Sequence, residues 1–293
     1  MEKIVPNLWY DQEAREAAEF YVNHFDNARI LDSTVIEDTP SGDAEMLSFQ
    51  LEGQVFNAIS GGPFFRLNPS ISLMVACSSP QDVDKKHAAL SRGGSELMPL
   101  GEYPFSKRYA WVQDRFGLSW QLMHTEEKHI RQRITPNLLF SGAVTGKTEE
   151  ALAFYTSVFM GGKVNEISHY RAGEAQLPAA QINYANFTLN GMNFAAMDNG
   201  YPADFTFNEA FSLMIYCDSQ KQIDYYWEAL SAVPEAEQCG WLKDKYGVSW
   251  QVTPTLLDDI MYHGTHEEAR RVTQAFLPMK KIILKDLEAA IRG

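Results

Sequence analysis

The sequence predicts an α+β fold: two tandem domains, each of two βαβββ units forming a curved sheet cup, followed by a C-terminal helical tail. Three observations predict it. The chain is written twice: "PNLWYDQEAREAAEFYVNHF" (6–25) returns as "PNLLFSGAVTGKTEEALAFYTSVF" (136–159), and "FRLNPSISLMVACSS" (65–79) as "FTFNEAFSLMIYCDS" (205–219). A third string, "WVQDRFGLSWQL" (111–122), returns as "WLKDKYGVSWQV" (241–252). Matches in one order over about 120 residues mean duplication of a whole domain, because solenoid repeats recur every ~20–50 residues. Within a copy, the hydrophobic period reads strand, helix, strand, strand, strand, and then begins again. Finally, 293 residues exceed what one compact core fills comfortably.

The elements follow in order. Residues 3–10, "KIVPNLWY", alternate and read as a strand. Residues 11–25 open with acidic groups and then set Ala14, Ala17, Ala18, Tyr21 and Phe25 at helical spacing. "ARILDSTVI" (28–36), "AEMLSFQLE" (44–52) and "QVFNAIS" (54–60) are β-rich runs, the last two joined through Gly53. The second unit has a strand at 71–78, a helix at 79–94 stopped by Gly93 and Gly94, and strands at 95–103, 107–114 and 118–125. A polar, charged stretch, 124–134, links the copies. From Leu256 the tail reads as two short helices around Leu277–Pro278. Its stripe of Ile282, Ile283, Leu287 and Ile291 suits core packing across the domains or a homodimer contact. A βαβββ unit covers one sheet face with its helix and leaves the other open, so paired units make a cup for a small ligand.

Composition narrows the function classes. A formal charge of −13, without a long basic run, gives no footprint for a phosphate backbone, so no nucleic-acid partner is expected. Apolar stretches fall far short of the roughly 20 residues of a bilayer span, so no membrane partner is expected either. No signal-peptide grammar precedes the first strand, and the protein reads as cytoplasmic. Cys77, Cys217 and Cys239 show no CxxC spacing and read as small hydrophobes rather than a disulfide framework.

The strings "PNLWYD…EAAEFYVNHF", "YPFSKRYAWVQDRFGLSWQL" and "CGWLKDKYGVSWQV" resemble the PhnB-like branch of the glyoxalase/bleomycin-resistance (vicinal oxygen chelate) superfamily. That branch is often labelled 3-demethylubiquinone-9 3-methyltransferase. The resemblance implies glyoxalase-like domains at 1–126 and 132–255, with the helical tail at 256–293. In single-domain relatives two chains share their sheets, and duplication would place that pairing inside one chain. Superfamily enzymes hold a divalent metal in the cup with four side chains, the last a carboxylate on the final strand. Here that position carries Gln121 and Gln251. Two other matching positions carry Val5 and Thr135, and Ser70 and Ala210; where a glutamate should stand on the strand ending each first unit, only Asn57 and Asp198 are polar nearby. At most one ligand of four survives per cup, and a lone neutral amide holds a hard cation weakly. No metal and no cofactor are therefore expected. Alternation sends Ser119, Gln121 and Met123 to the cup and Leu118, Trp120 and Leu122 under the helix.

Asn7, Trp9, Asn57 and Gln121 in the first copy, with Asn137 and Gln251 in the second, are the candidate ligand-binding side chains. Tyr103, Phe105 and Arg108 join them, in a segment "YPFSKRYAW" that would close the first copy's cup over an anionic or aromatic ligand. The alternative for this segment is an exposed hairpin with snorkelling stems. The second copy has ten fewer residues here, so the cups are not equivalent. The histidines of "HGTH" (His263, His266) and the pair His124 and His129 read as solvated. No GxGxxG turn supports a nucleotide-type methyl donor, and no nucleophile–base pair is evident. The leading reading is a metal-free protein that binds a small molecule in its cup. The alternatives are an enzyme of the superfamily (lyase, isomerase, dioxygenase or methyltransferase type) and an interaction module with vestigial cups.

Overall fold

The computed structural model describes residues 3–127 and 129–293; Lys128 of the predicted linker lies outside them. The described residues form fifteen strands and seven α-helices in two mixed sheets. The first unit is β1 (Ile4–Tyr10), α1 (Ala14–Val22), β2 (Arg29–Thr39), β3 (Gly42–Leu51) and β4 (Gln54–Ser60). The second is β5 (Ile71–Cys77), α2 (Pro80–Leu90), β6 (Ser95–Tyr103), β7 (Ser106–Gln113) and β8 (Ser119–His124). The third is β9 (Ile134–Phe140), α3 (Thr148–Val158), β10 (Lys163–His169), β11 (Ile182–Leu189) and β12 (Met192–Asp198). The fourth is one strand short: β13 (Phe211–Cys217), α4 (Gln220–Leu230), β14 (Trp241–Lys243) and β15 (Ser249–Pro254). Its missing strand corresponds to the ten absent residues.

Local chemistry explains the helices. Ala14, Ala17 and Ala18 let α1 lie close on its sheet while Tyr21 reaches beneath it, all four buried. Ser79 caps α2 by accepting from the Asp82 N–H at 3.1 Å, and Ser219 does the same for α4.

The sheets cross the two copies. One sheet runs β14-β15-β13-β1-β4-β3-β2, joining the first unit to the fourth; the other runs β10-β11-β12-β9-β5-β8-β7-β6, joining the third to the second. At the seams β1 pairs antiparallel with β13 and β9 with β5. Each cup thus draws strands from both copies, four and three in the first sheet and four and four in the second. The helix layer does the reverse and unites consecutive units. Tyr21 of α1 packs edge-on to Trp120 of β8 at 5.2 Å, and Tyr155 of α3 lies 5.7 Å from Trp250 of β15.

These contacts explain the repeated "DRFGLSWQL". Buried Asp114 accepts from Tyr21 Oη and Trp120 Nε1, each at 2.8 Å, and from the backbone N–H groups of Phe116 and Leu118. Asp244 makes the same four bonds with Tyr155, Trp250, Tyr246 and Val248. One carboxylate fixes the turn, orients the core indole and ties down the helix of the preceding unit. Alternation then places Trp120 in the core and Gln121 on the cup face.

The tail makes three helices rather than two: α5 (Thr255–His263), α6 (His266–Phe276) and α7 (Leu284–Arg292). It follows the fourth unit and fills the space left by the missing strand. Cys239 and Gly240 donate backbone hydrogen bonds to the carbonyls of Met279 and Lys280 at 2.7 and 2.8 Å. Ile282 and Leu287 are fully buried with Met261, Val272, Phe276 and Ile36 of β2, so the tail roofs the first of the two sheets. Among the described residues no helix is long and apolar enough to cross a membrane.

Candidate functional site

Matched rows of side chains cross the floors of the two cups. In the roofed cup the register aligns Asn57, Asn7, Ser212 and Ser249. In the other it aligns Ala195, Asn137, Ser72 and Ser119. One pleat further stand the glutamines, Gln251 opposite Met214 and Trp241, and Gln121 opposite Met74 and Trp111. Each glutamine donates through Nε2 to its neighbouring serine at 2.8 Å, Gln251 to Ser212 and Gln121 to Ser72.

Beyond this shared floor the cups diverge. Tyr109 of β7 closes the inner part of the second cup. It is buried, its hydroxyl donates to Gln121 Oε1 at 2.9 Å, and burial pushes its pKa above the usual phenol range, so it remains a donor. Tyr103 and Phe105 stack on each other and meet the Tyr109 ring edge-on at 5.4 and 4.9 Å. Trp111 Nε1 donates to Ser119 at 2.7 Å. The segment predicted to close this cup therefore plugs its inner part with Tyr109, while Phe105, 59% exposed, stays at the surface. Arg108 lies on the opposite face of β7, where Nε meets Asp84 of α2 at 2.6 Å.

The roofed cup stays open inside. It holds a cavity of about 560 Å³ whose walls include Trp9, Phe65, Trp241, Met46 and Met214, with Leu257, Phe276 and Leu277 of the tail above. The Trp9 ring is fixed by Nε1 donating to the Gly62 carbonyl at 2.8 Å and by edge contacts with Phe65 at 5.1 Å and Trp241 at 6.0 Å. A Cβ at Gly61 would come within 2.3 Å of this indole, so the glycine is what lets the ring lie there. Asn7, Trp9 and Gln251 from the predicted set line the cavity, and Asn57 stands beside it, donating to Tyr216 Oη at 2.7 Å. Tyr103, Phe105, Gln121 and Asn137 belong to the filled cup, and Arg108 to neither interior.

Sequence reasoning missed four side chains here. Thr253 lines the cavity, only 4% exposed, and its hydroxyl has no partner among the described residues. Asp258 of α5 reaches the wall, where its Oδ2 accepts from Tyr216 Oη at 2.5 Å. Burial chiefly pushes the Asp258 carboxyl up to about 6; Tyr216 and Lys3 oppose that shift, and Asp259 and Asp32 add to it. Glu209 also faces the cavity, paired with Lys243 at 2.8 Å. Two of these positions carried a signal: Tyr216 replaces the first copy's Ala76, and Thr253 its Met123.

The superfamily's metal can be tested against these donors. Gln121 has both amide atoms committed within the protein. Asp198 accepts from Gly146 and Thr148 at the start of α3 and from the N–H groups of Gln181 and Ile182, so its carboxylate is satisfied structurally. Asn57 is engaged with Tyr216 and Met214. Among the described residues no three His, Cys, Asp or Glu side chains gather as a metal site. The donor set does not fit a tightly held divalent ion.

Known proteins share this architecture. The family profile described as 3-demethylubiquinone-9 3-methyltransferase matches residues 2–123 and again 132–253. A Bacillus cereus PhnB protein is 34% identical over 42% of this chain and 99% of its own, with a TM-score of 0.40. Glyoxalase I from Zea mays is 11% identical over 90% of this chain and 98% of its own, with a TM-score of 0.56, a likeness of fold. No curated protein matches the chain.

Proposed function

The chain belongs to the 3-demethylubiquinone-9 3-methyltransferase family, within the glyoxalase/bleomycin-resistance superfamily, and from that premise we propose a protein that binds a small molecule in the roofed cup without the ancestral metal. One observation carries this reading: a 560 Å³ cavity with aromatic walls and a sparse polar floor, lying where the other cup is filled by Tyr109. Ligand sites are typically about 300–1,000 Å³, apolar, with few convergent polar groups. The lining carries Glu209, Glu235 and Asp258 and no lysine or arginine, which favours a neutral or cationic aromatic ligand over an anionic one. We further place the protein in the cytoplasm, where Cys77, Cys217 and Cys239 would remain reduced.

Native mass spectrometry of freshly purified protein tests the proposal. A co-purified small molecule is expected, and Met46→Trp, which narrows the cavity, should weaken its retention. A bare wild-type chain that no metabolite stabilises would remove the binding reading. Elemental analysis near one metal per chain would remove the metal-free part. A second reading, an acid–base enzyme, is favoured by Asp258, a carboxyl raised to about 6 at the cavity wall. Asp258→Asn would then abolish turnover and leave ligand retention intact.

A further inference from the structure

The filled cup displays a hydrogen bond that the roofed cup lacks. Gln121 offers two polar atoms: Nε2 is taken by Ser72 and Oε1 by the Tyr109 phenol. Gln251 has Nε2 taken by Ser212, but no protein donor reaches its Oε1 among the described residues. The reason lies in the chain path. The repeat puts Cys239 at Tyr109's place, and the chain turns sharply there through a bridge between Gln238 and Trp241. Cys239 Sγ lies 3.1 Å from the Leu277 carbonyl of the tail. An aromatic hydroxyl has thus been subtracted from one cup and kept in the other.

The surroundings have changed to match. Met123, opposite Tyr109 in the filled cup, is replaced by the smaller Thr253 on the cavity wall. Leaving the acceptor Gln251 Oε1 without a donor when a ligand displaces water is unfavourable, so a donor from the ligand would be stabilising. Trp9 and Trp241 flank the space with ring faces and edges. The carboxylates in the lining disfavour an anion, and a simple phenol, with a pKa of about 10, is neutral at pH 7.

We propose that the roofed cup selects a phenol, whose hydroxyl donates to Gln251 Oε1, as Tyr109 serves Gln121 in the other cup. The cavity is larger than a tyrosine side chain requires, so the ligand carries a further apolar body, of the order of a second ring, toward Met46 and the tail. The assignment rests on the cavity reading above and names the ligand class for it.

A matched pair of probes tests it: 4-phenylphenol and 4-methoxybiphenyl, alike in shape but only the first able to donate. Titration calorimetry on the full chain should show 4-phenylphenol binding about tenfold tighter or more, the usual size for one buried hydrogen bond. Gln251→Met should abolish that preference, weakening 4-phenylphenol more than 4-methoxybiphenyl. Should this variant fail to fold, Gln251→Leu, smaller and equally without an acceptor, should abolish it in the same way. Equal affinities overturn the phenol assignment while the cavity reading stands. Binding of neither probe, or a preference that survives the folded variants, also overturns it. The cavity reading fails separately, in the mass-spectrometric experiment.

Discussion

In one cup a tyrosine hydroxyl completes a glutamine amide; in the other the same amide faces a cavity. The floors beneath are nearly the same row of asparagines and serines. Besides the missing strand and the tail, a few positions separate the cups: Tyr109 against Cys239, Met123 against Thr253, Ala76 against Tyr216, and Ala195 against Asn57. A pair of identical chains related by a two-fold axis would have to carry both cups alike. With both copies in one chain, a cup can become packing while its counterpart holds a ligand. The comparison teaches that architecture sets where the cavity lies and single side chains decide whether it is filled.

The shared parts should be the costliest to break. Asp114→Ala leaves a buried phenol, an indole N–H and two backbone N–H groups without their acceptor. We expect a loss of about 3–5 kcal/mol in urea unfolding, and a similar loss for Asp244→Ala. A large inequality would mean the two helix layers are not equivalent, and the comparison would have to be redrawn. Smaller effects should follow where the copies differ. Lys86 is almost fully buried, 2.5 Å from Asp82 and 3.7 Å from Glu52, while its counterpart Tyr226 accepts a neutral bond from Asn190 at 3.1 Å. Lys86→Met should destabilise by about 2–4 kcal/mol, because it leaves Asp82 without its cation and Glu52 with only Arg133 at 4.0 Å. Tyr226→Phe should cost about 1 kcal/mol. Equal losses would show that the charged cluster is well solvated.

Most elements were legible because alternation and helical spacing report which face a side chain takes: the alanines of α1 and the Trp120–Gln121 pair follow from period, whereas β1 is buried along nearly its whole length. Which units share a sheet was not legible from the strands. Strand β1 could pair with β5 or with β13, whose strings "ISLMVAC" and "FSLMIYC" offer nearly the same face and edge. The family resemblance, by contrast, did carry the pairing of halves across the duplication. The site was read in part. Asn7, Trp9 and Gln251 follow from strand parity, whereas Arg108, one residue from inward-facing Tyr109, must by the same parity point away. Asp258 had no repeat partner to compare it with, and its place depends on where the tail docks.

The smallest expected effect concerns the group that only the roofed cup possesses. Asp258 ties α5 to Tyr216, and the matching position in the filled cup is Ala76. Burial raises its carboxyl from 3.8 to about 6, so the folded protein holds a proton that the unfolded chain releases earlier. Its contribution is therefore complete below pH ~4, where both states are protonated, and is lost as pH rises through about 6. Asp258→Asn, which keeps the acceptor and cannot ionise, should lack that loss. Melting curves of variant and wild type should diverge between about pH 4 and 7 in favour of the variant, by about 2–4 °C. The difference between the two proteins cancels the other raised carboxyls, Asp114 and Asp244, which both retain. Parallel curves would mean that Asp258 ionises as it would in water, and that the tail leaves this end of the cavity open to solvent.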